Sequence, residues 1–337
     1  MLRLRRTSEQ VGWVILAVAV ASAARAASSA LPHGPKQWLQ RMNQALSTLD
    51  YDGVFSHWHA GRVETMRIIH RVRNGVVTER LVSLDGSGRE FIRRGSTLAC
   101  YLPDKRTVLV EHEPSSLLLG GLPNFGGSAG RYYVFRAAGH TRLIGQPTQL
   151  IVVTPKDAYR YGYRLWIDTQ TGMPLKTQLC DRRGRVIEQV VFASISTPST
   201  IPDSDFQPGI STVGYRWVRQ IPLSPPAVSA AASSVSSWSA IRLPPGFHLS
   251  ARTVQVLPGA AGVVEHIVYT DGIATVSVFV ESRTRSGSAV SGSEQVGSTS
   301  AFATTVDGHP VTALGEVPPA TVKIIADSVT AGPPAGP

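Results

Sequence analysis

Between Val54 and Glu113 the chain passes through six stretches in which polar and apolar residues nearly alternate: VFSHWH, VETMRIIHRVR, VVTERLVSL, REFIRRG, STLACYLP and RTVLVEHE. The breaks between them, AGR, RNG, LDGSG and PDKR, carry turn chemistry and recur at a spacing of about eight to twelve residues. Alternation of this kind belongs to strands with one face buried, since successive side chains point to opposite sides. Turns this short join only antiparallel neighbours. The pattern resumes in HTRLIGQPTQLIVVTP and in YRYGYRLWIDTQTGMPLKTQLCDRRGRVIEQVVF, so one large antiparallel sheet is expected, meandering from strand to strand. The apolar, glycine-rich stretch PSSLLLGGLPNFGGSAGRYYVF interrupts it.

Before the strands, Trp38, Leu39, Met42, Ala45, Leu46 and Leu49 recur at three- and four-residue spacing. Pro35 sits where a first helical turn tolerates it, which predicts a helix ended by Asp52-Gly53. Beyond Ser196 the composition turns to Pro, Ser and Ala, which marks a linker. The expected organisation is a first domain over 27–209, a linker over 210–237, a small second domain over 238–330 and a disordered tail over 331–337. In the second domain, hairpins are expected across Asp271-Gly272 and Asp307-Gly308. A terminal helix is expected with Val322, Ile325 and Val329 on one face, and RSGSAVSGSE (285–294) is expected as a mobile loop. The fold class is therefore mainly β, of α+β type.

The N-terminus reads as a targeting segment. MLRLRRTSEQ supplies a basic region, VGWVILAVAVASA an apolar core, and ARA at Ala24–Ala26 a small-x-small cleavage site. A signal peptide over 1–26 and a mature start at Ala27 are expected. The apolar run is well short of the ~20 residues of a spanning helix, and no Cys follows it to carry a lipid anchor. Charge is unevenly placed in the remainder. Residues 27–219 hold 24 basic against 15 acidic groups, and 220–337 hold five against seven. In an exported chain such a basic domain points to acidic partners or anionic lipid rather than nucleic acid, with a solvated basic surface as the equal alternative. Cys100 and Cys180, the only two cysteines, are either bridged or separately buried.

Catalytic signals are weak. GGSAG at 126–130 matches G-x-S-x-G, but the strand before it and the helix after it that a nucleophile elbow needs are missing, so Ser128 reads as a loop residue. His57 and His59 would share one strand face, as two metal ligands do. A third ligand is not evident, His70 and the EHE at 111–113 being loose candidates. No phosphate loop, dinucleotide fingerprint, CxxC or HExxH motif is present. The sequence argues against an enzyme, and no catalytic residue, cofactor or metal is assigned. A half-open sheet with a helix across it can leave an apolar cleft suited to acyl chains. Leu117, Leu118, Leu119, Leu122 and Phe125 either line such a cleft or plug the core.

The stretch LDYDGVFSHWHAGRVETMRIIHRVRNGVVTERLVSLDGSGREFIRRG resembles the N-terminal region of the RseB/MucB family. The late hairpin YRYGYRLWIDTQTGMPLKTQLCDRRGRVIEQVVF, together with LPPGFHLS, VYTDGIATVSVFVE and GEVPPATVKIIADSV, continues the likeness in order over nearly all of the expected mature chain. The resemblance implies a lipoprotein-carrier-like first domain, an unclosed antiparallel barrel around covering helices, and a location in the periplasm. It implies that the protein binds the periplasmic part of a membrane-spanning anti-sigma factor, shields it from the site-1 protease and so restrains the envelope-stress sigma factor. It also implies sensing of lipopolysaccharide or lipoprotein acyl chains through the cavity. Arg89, Arg93 and Arg94 are then head-group candidates, because planar guanidinium donors engage phosphate oxygens two at a time. The alternative is that they are ordinary solvent-exposed strand residues. A plain periplasmic lipid or lipoprotein carrier is the alternative function, and self-association stays open.

Overall fold

The computed structural model describes residue 32 and residues 34–112, 125, 130–219, 238–256, 262–282 and 291–332. The expected first helix is present as α1 (Pro35–Thr48), with Pro35 in its first turn and Trp38, Leu39, Met42, Ala45 and Leu46 on its buried face. It stops earlier than expected. Leu49 is already extended, and Asp52 and Gly53 lie inside the first strand. Gly53 faces the Phe192 ring, where a Cβ would come within 2.7 Å of a ring carbon, so the strand needs glycine there.

Six strands follow, β1 (Tyr51–His59), β2 (Arg62–Arg73), β3 (Val76–Ser83), β4 (Glu90–Arg94), β5 (Thr97–Leu102) and β6 (Thr107–His112). A second series comprises β7 (Tyr133–Leu143), β8 (Gln146–Pro155), β9 (Gly162–Asp168), β10 (Pro174–Cys180) and β11 (Val186–Ser196). Each series is an antiparallel meander, and the two join where β1 pairs with β11. The chain therefore passes from β6 near one edge to β7 at the other, through the segment read as an interruption. Two-residue turns at Asn74-Gly75 and Ala60-Gly61 have both residues at positive φ, the geometry whose twist matches that of the flanking strands.

The sheet curls around α1. One face carries Tyr51, Phe55, Ile68, Leu81, Leu165, Ile167 and Phe192 against the helix, forming the main core. The β9–β10 turn docks on the same helix: Gly172, at φ +83, sits where a Cβ would approach Arg41 Cγ to 2.9 Å. The opposite face is covered by residues 201–215. Ile201 and Phe206 pack with Ile69, and Ile210 and Tyr215 pack with Ile92, Tyr101, Val108 and Val110. Arginines tie this strap down. Arg71 and Arg73 donate to the Ile201 carbonyl, Arg80 to that of Asp205 and Arg94 to that of Phe206. The strap ends in β12 (Arg216–Arg219), parallel to β6, so the first ten residues of the expected linker lie against the first domain's sheet. Cys100 and Cys180 are free, buried thiols.

The second domain opens with β13 (Trp238–Ala240) and β14 (His248–Val256), followed by β15 (Val263–Thr270), β16 (Thr275–Glu281), β17 (Gly292–Val296), β18 (Thr299–Val306) and β19 (His309–Gly315). Then come α2 (Pro319–Asp327) and β20 (Val329–Ala331). Both predicted hairpins form. Val322 and Ile325 are buried on α2, but Val329 leaves the helix and opens β20, which pairs with β13 and closes the domain. Of the stretch read as a mobile loop, Gly292–Glu294 belongs to β17 and 285–290 lies outside the described residues. Ala331 belongs to β20, and the tail from 333 lies outside the described residues.

Candidate functional site

The candidate features lie on the curled face and at its junction with the second domain. Of the five apolar residues singled out, Leu117, Leu118, Leu119 and Leu122 lie outside the described residues, as does Ser128. Phe125 is buried in the main core, edge-on to the Tyr163 ring at 5.3 Å between centroids. A cleft of about 570 Å³ opens between the start of α1 and β7, lined by Pro35, Lys36, Gln37, Gly130, Tyr133 and Phe135. Its walls combine two aromatic rings with one amine.

The three head-group candidates are dispersed by the pleat. Arg93 lies on the α1 side of β4, within 3.7 Å of the fully buried Glu79 carboxylate, and donates to the Gly95 carbonyl. Arg94 points the other way and holds the strap. Arg89, just before the strand, donates to Glu64 and Asp85, both at 3.3 Å.

Two polar clusters join the domains. In the first, Arg160, fully buried in the β8–β9 connection, donates to Asp271 in the β15–β16 turn and to the Pro245 carbonyl. The Tyr133 hydroxyl donates to the same Asp271 oxygen at 3.0 Å, and Asp271 also accepts the backbone N–H groups of Ile273 and Ala274. Burial and the Asp271 charge drive the Tyr133 phenol far above its usual pKa, so it stays a donor. The guanidinium also stacks over the Tyr132, Tyr133 and Phe247 rings. Ile273 from the same turn enters the first domain's core, and Thr321 Oγ1 donates to the Tyr159 carbonyl at 2.8 Å. A buried charge is tolerable only when paired and hydrogen-bonded throughout, and Arg160 meets that condition.

In the second cluster, His57 and His59 stand on the core side of β1, and Glu188 faces them from β11. His57 Nε2–H donates to Glu188 Oε1 at 2.8 Å, and His59 Nδ1 lies 3.4 Å from Glu188 Oε2. From the second domain, the Ser298 hydroxyl donates to Glu188 Oε2 at 2.6 Å, while Gln295 Nε2 reaches the Tyr161 hydroxyl. Burial alone would push the Glu188 carboxyl up. The hydrogen bonds from His57 and Ser298 outweigh it and hold the carboxyl below its usual range. The same hydrogen bond raises the His57 pKa. Sequence reading missed Glu188, 131 residues from His57. Its signal was a carboxylate on the strand phase shared with Val190 and Phe192.

A helix-lined half-open sheet, with a cleft beside the junction to a second domain, defines a two-domain binding protein. The N-terminal domain model of MucB/RseB matches residues 34–210, and the C-terminal domain model matches residues 232–330. The chain belongs to the MucB/RseB family. It is 30% identical over 312 residues to the sigma factor AlgU regulatory protein MucB of Pseudomonas aeruginosa, covering 87% of this chain and 89% of that protein. It is 26% identical over 322 residues to the sigma-E factor regulatory protein RseB of Salmonella typhimurium, covering 94% and 97%. Among solved structures it resembles the P. aeruginosa MucA/MucB complex, with TM-score 0.69 and 27% identity over 89% of this chain and 99% of that one. MucB in complex with MucA(peri) gives TM-score 0.67 at the same identity and coverage.

Proposed function

We propose that this protein is exported to the periplasm and acts there, without catalysis, as a negative regulator that binds the periplasmic region of a membrane anti-sigma factor. Binding shields that region from regulated proteolysis and so restrains the envelope-stress sigma factor. The observation that carries the reading is likeness across both domains, in order, to MucB proteins whose solved structures include a bound MucA periplasmic region. A simple carrier needs only the cleft, whereas this chain adds a second domain with a core of its own, from Trp238 to Val329. The basic first domain and the slightly acidic second present opposite charge to a peptide lying between them, which favours one orientation of binding.

Release is assigned to an acyl chain of lipopolysaccharide or lipoprotein entering the curled face where Phe125 sits, with Leu117, Leu118, Leu119 and Leu122 as the remaining apolar candidates. Arg89, Arg93 and Arg94 are retained as head-group candidates. Such a ligand acts only through unequal affinity for the free and partner-bound states. Isothermal titration of the cognate anti-sigma periplasmic segment into the full mature protein tests the reading. Saturable binding is expected, weakened by lipopolysaccharide in wild type and less so in Phe125→Ala. Absence of binding overturns the regulator role. Equal weakening in wild type and variant removes Phe125 from the release step.

A further inference from the structure

The His57, His59 and Glu188 cluster has more donor capacity than a hydrogen-bonded latch uses. One ligand atom from each of the three lies within 4.8 Å of the others. Three atoms at that spacing close around a divalent zinc ion with small rotamer changes, since Zn–N and Zn–O bonds are about 2.0–2.2 Å long. The placement is rigid. His57 and His59 are two apart on one strand, and Glu188 is the direct cross-strand neighbour of His59. Two imidazoles and a carboxylate are a donor set that suits zinc, with copper and nickel as competitors.

Three further observations point to a cation. The buried His59 Nδ1 has no hydrogen-bond partner, although it faces a carboxylate oxygen. Glu64, the direct cross-strand neighbour of His57 on β2, sets a further carboxylate beside the cluster. The second domain closes the site from above: Gly297, at φ +61, lies so near that a Cβ there would come within 2.5 Å of the His59 ring. Ser298 meanwhile orients Glu188 through its 2.6 Å hydrogen bond, as outer partners orient metal ligands.

We infer that His57, His59 and Glu188 form a zinc-binding site at the domain junction, with an open fourth position beside Ser298. A bound ion would take the Glu188 oxygen now shared with His57 and fix the carboxylate under the β17–β18 turn. Zinc would thereby stiffen the contact between the two domains.

The test uses tag-free, chelator-stripped full mature protein. Zinc chloride titrated calorimetrically should bind at one equivalent. Glu188→Gln and His59→Gln should each weaken binding by at least about tenfold, the loss that even outer-sphere changes produce. His140→Gln, at an exposed position on β7, should not. Zinc should raise the melting temperature of wild type and leave that of Glu188→Gln unchanged. Cobalt(II) supplies a readout independent of variant folding: wild type should develop the intense visible bands of a four-coordinate nitrogen–oxygen site, abolished by adding zinc. The inference is overturned if wild type takes up no stoichiometric zinc. It is equally overturned if uptake survives both ligand substitutions, which would leave the cluster a plain hydrogen-bonded latch.

Discussion

Single residues set the tolerances of this fold, and two carry measurable consequences. Ile144 occupies the first position of the β7–β8 turn at φ +46 and is partly exposed. A β-branched side chain in the left-handed region costs about 1–2 kcal/mol. Ile144→Asn should therefore stabilise the protein by about 1 kcal/mol in urea denaturation, and an unchanged or lowered midpoint contradicts that. His266, stacked flat on Phe279 and hydrogen-bonded to Ser277, is half-buried, and burial lowers its pKa. The unfolded chain then takes up the proton first as pH falls. Its contribution to stability is present above the unfolded pKa of about 6.5 and is lost below it. His266→Gln should flatten the fall in stability below about pH 6.5, measured by denaturation at each pH. The Asn74-Gly75 turn was legible from its own two residues. The placements of Arg160 and Glu188 were not: nothing in their local sequence marks them for burial, and a distant chain segment covers both.

Elements divide in the same way. Helix α1 and the hairpins of both meanders follow from local periodicity and turn chemistry, so their registers were readable. The join of β1 to β11, the jump from β6 to β7 and the parallel β12 depend on pairings between residues more than 100 apart in sequence, and no local pattern encodes them. The strap at 201–219 was read as the approach to a linker because Pro and Ser dominate around it. What holds it down is four arginines from the opposite sheet face, donating to its backbone carbonyls. The β15–β16 turn shows how much one loop can carry, with Asp271 taking Arg160 and Ile273 entering the neighbouring core. Asp271→Asn removes the buried carboxylate across the junction and leaves the Arg160 guanidinium only Asp157, three residues before it, as a charge partner. It should cost about 3–5 kcal/mol, the usual penalty for breaking a buried pair. Chemical denaturation checks this, and a loss below about 1 kcal/mol would show that the pair is not what joins the domains.

For the whole molecule, the two domains have separate cores but share two polar bolts, one built on Arg160 and Asp271 and one on Glu188 and Ser298. A partner peptide that contacts both domains gains from their fixed relation, because less ordering remains to be done on binding. Loosening the junction should therefore weaken partner binding even where the contact residues are untouched. Gly246→Ala serves as such a loosened variant, since a Cβ there would come within 2.2 Å of the Tyr132 ring. Its affinity for the anti-sigma segment should fall while its circular dichroism stays that of wild type. Unchanged affinity would separate the junction from partner recognition. The most direct test of the central claim is a cleavage assay, in which the site-1 protease acts on the anti-sigma periplasmic region with and without this protein. The full mature protein is expected to slow cleavage in proportion to the complex formed, and lipopolysaccharide to restore it. Cleavage at the same rate in its saturating presence would contradict the shielding role.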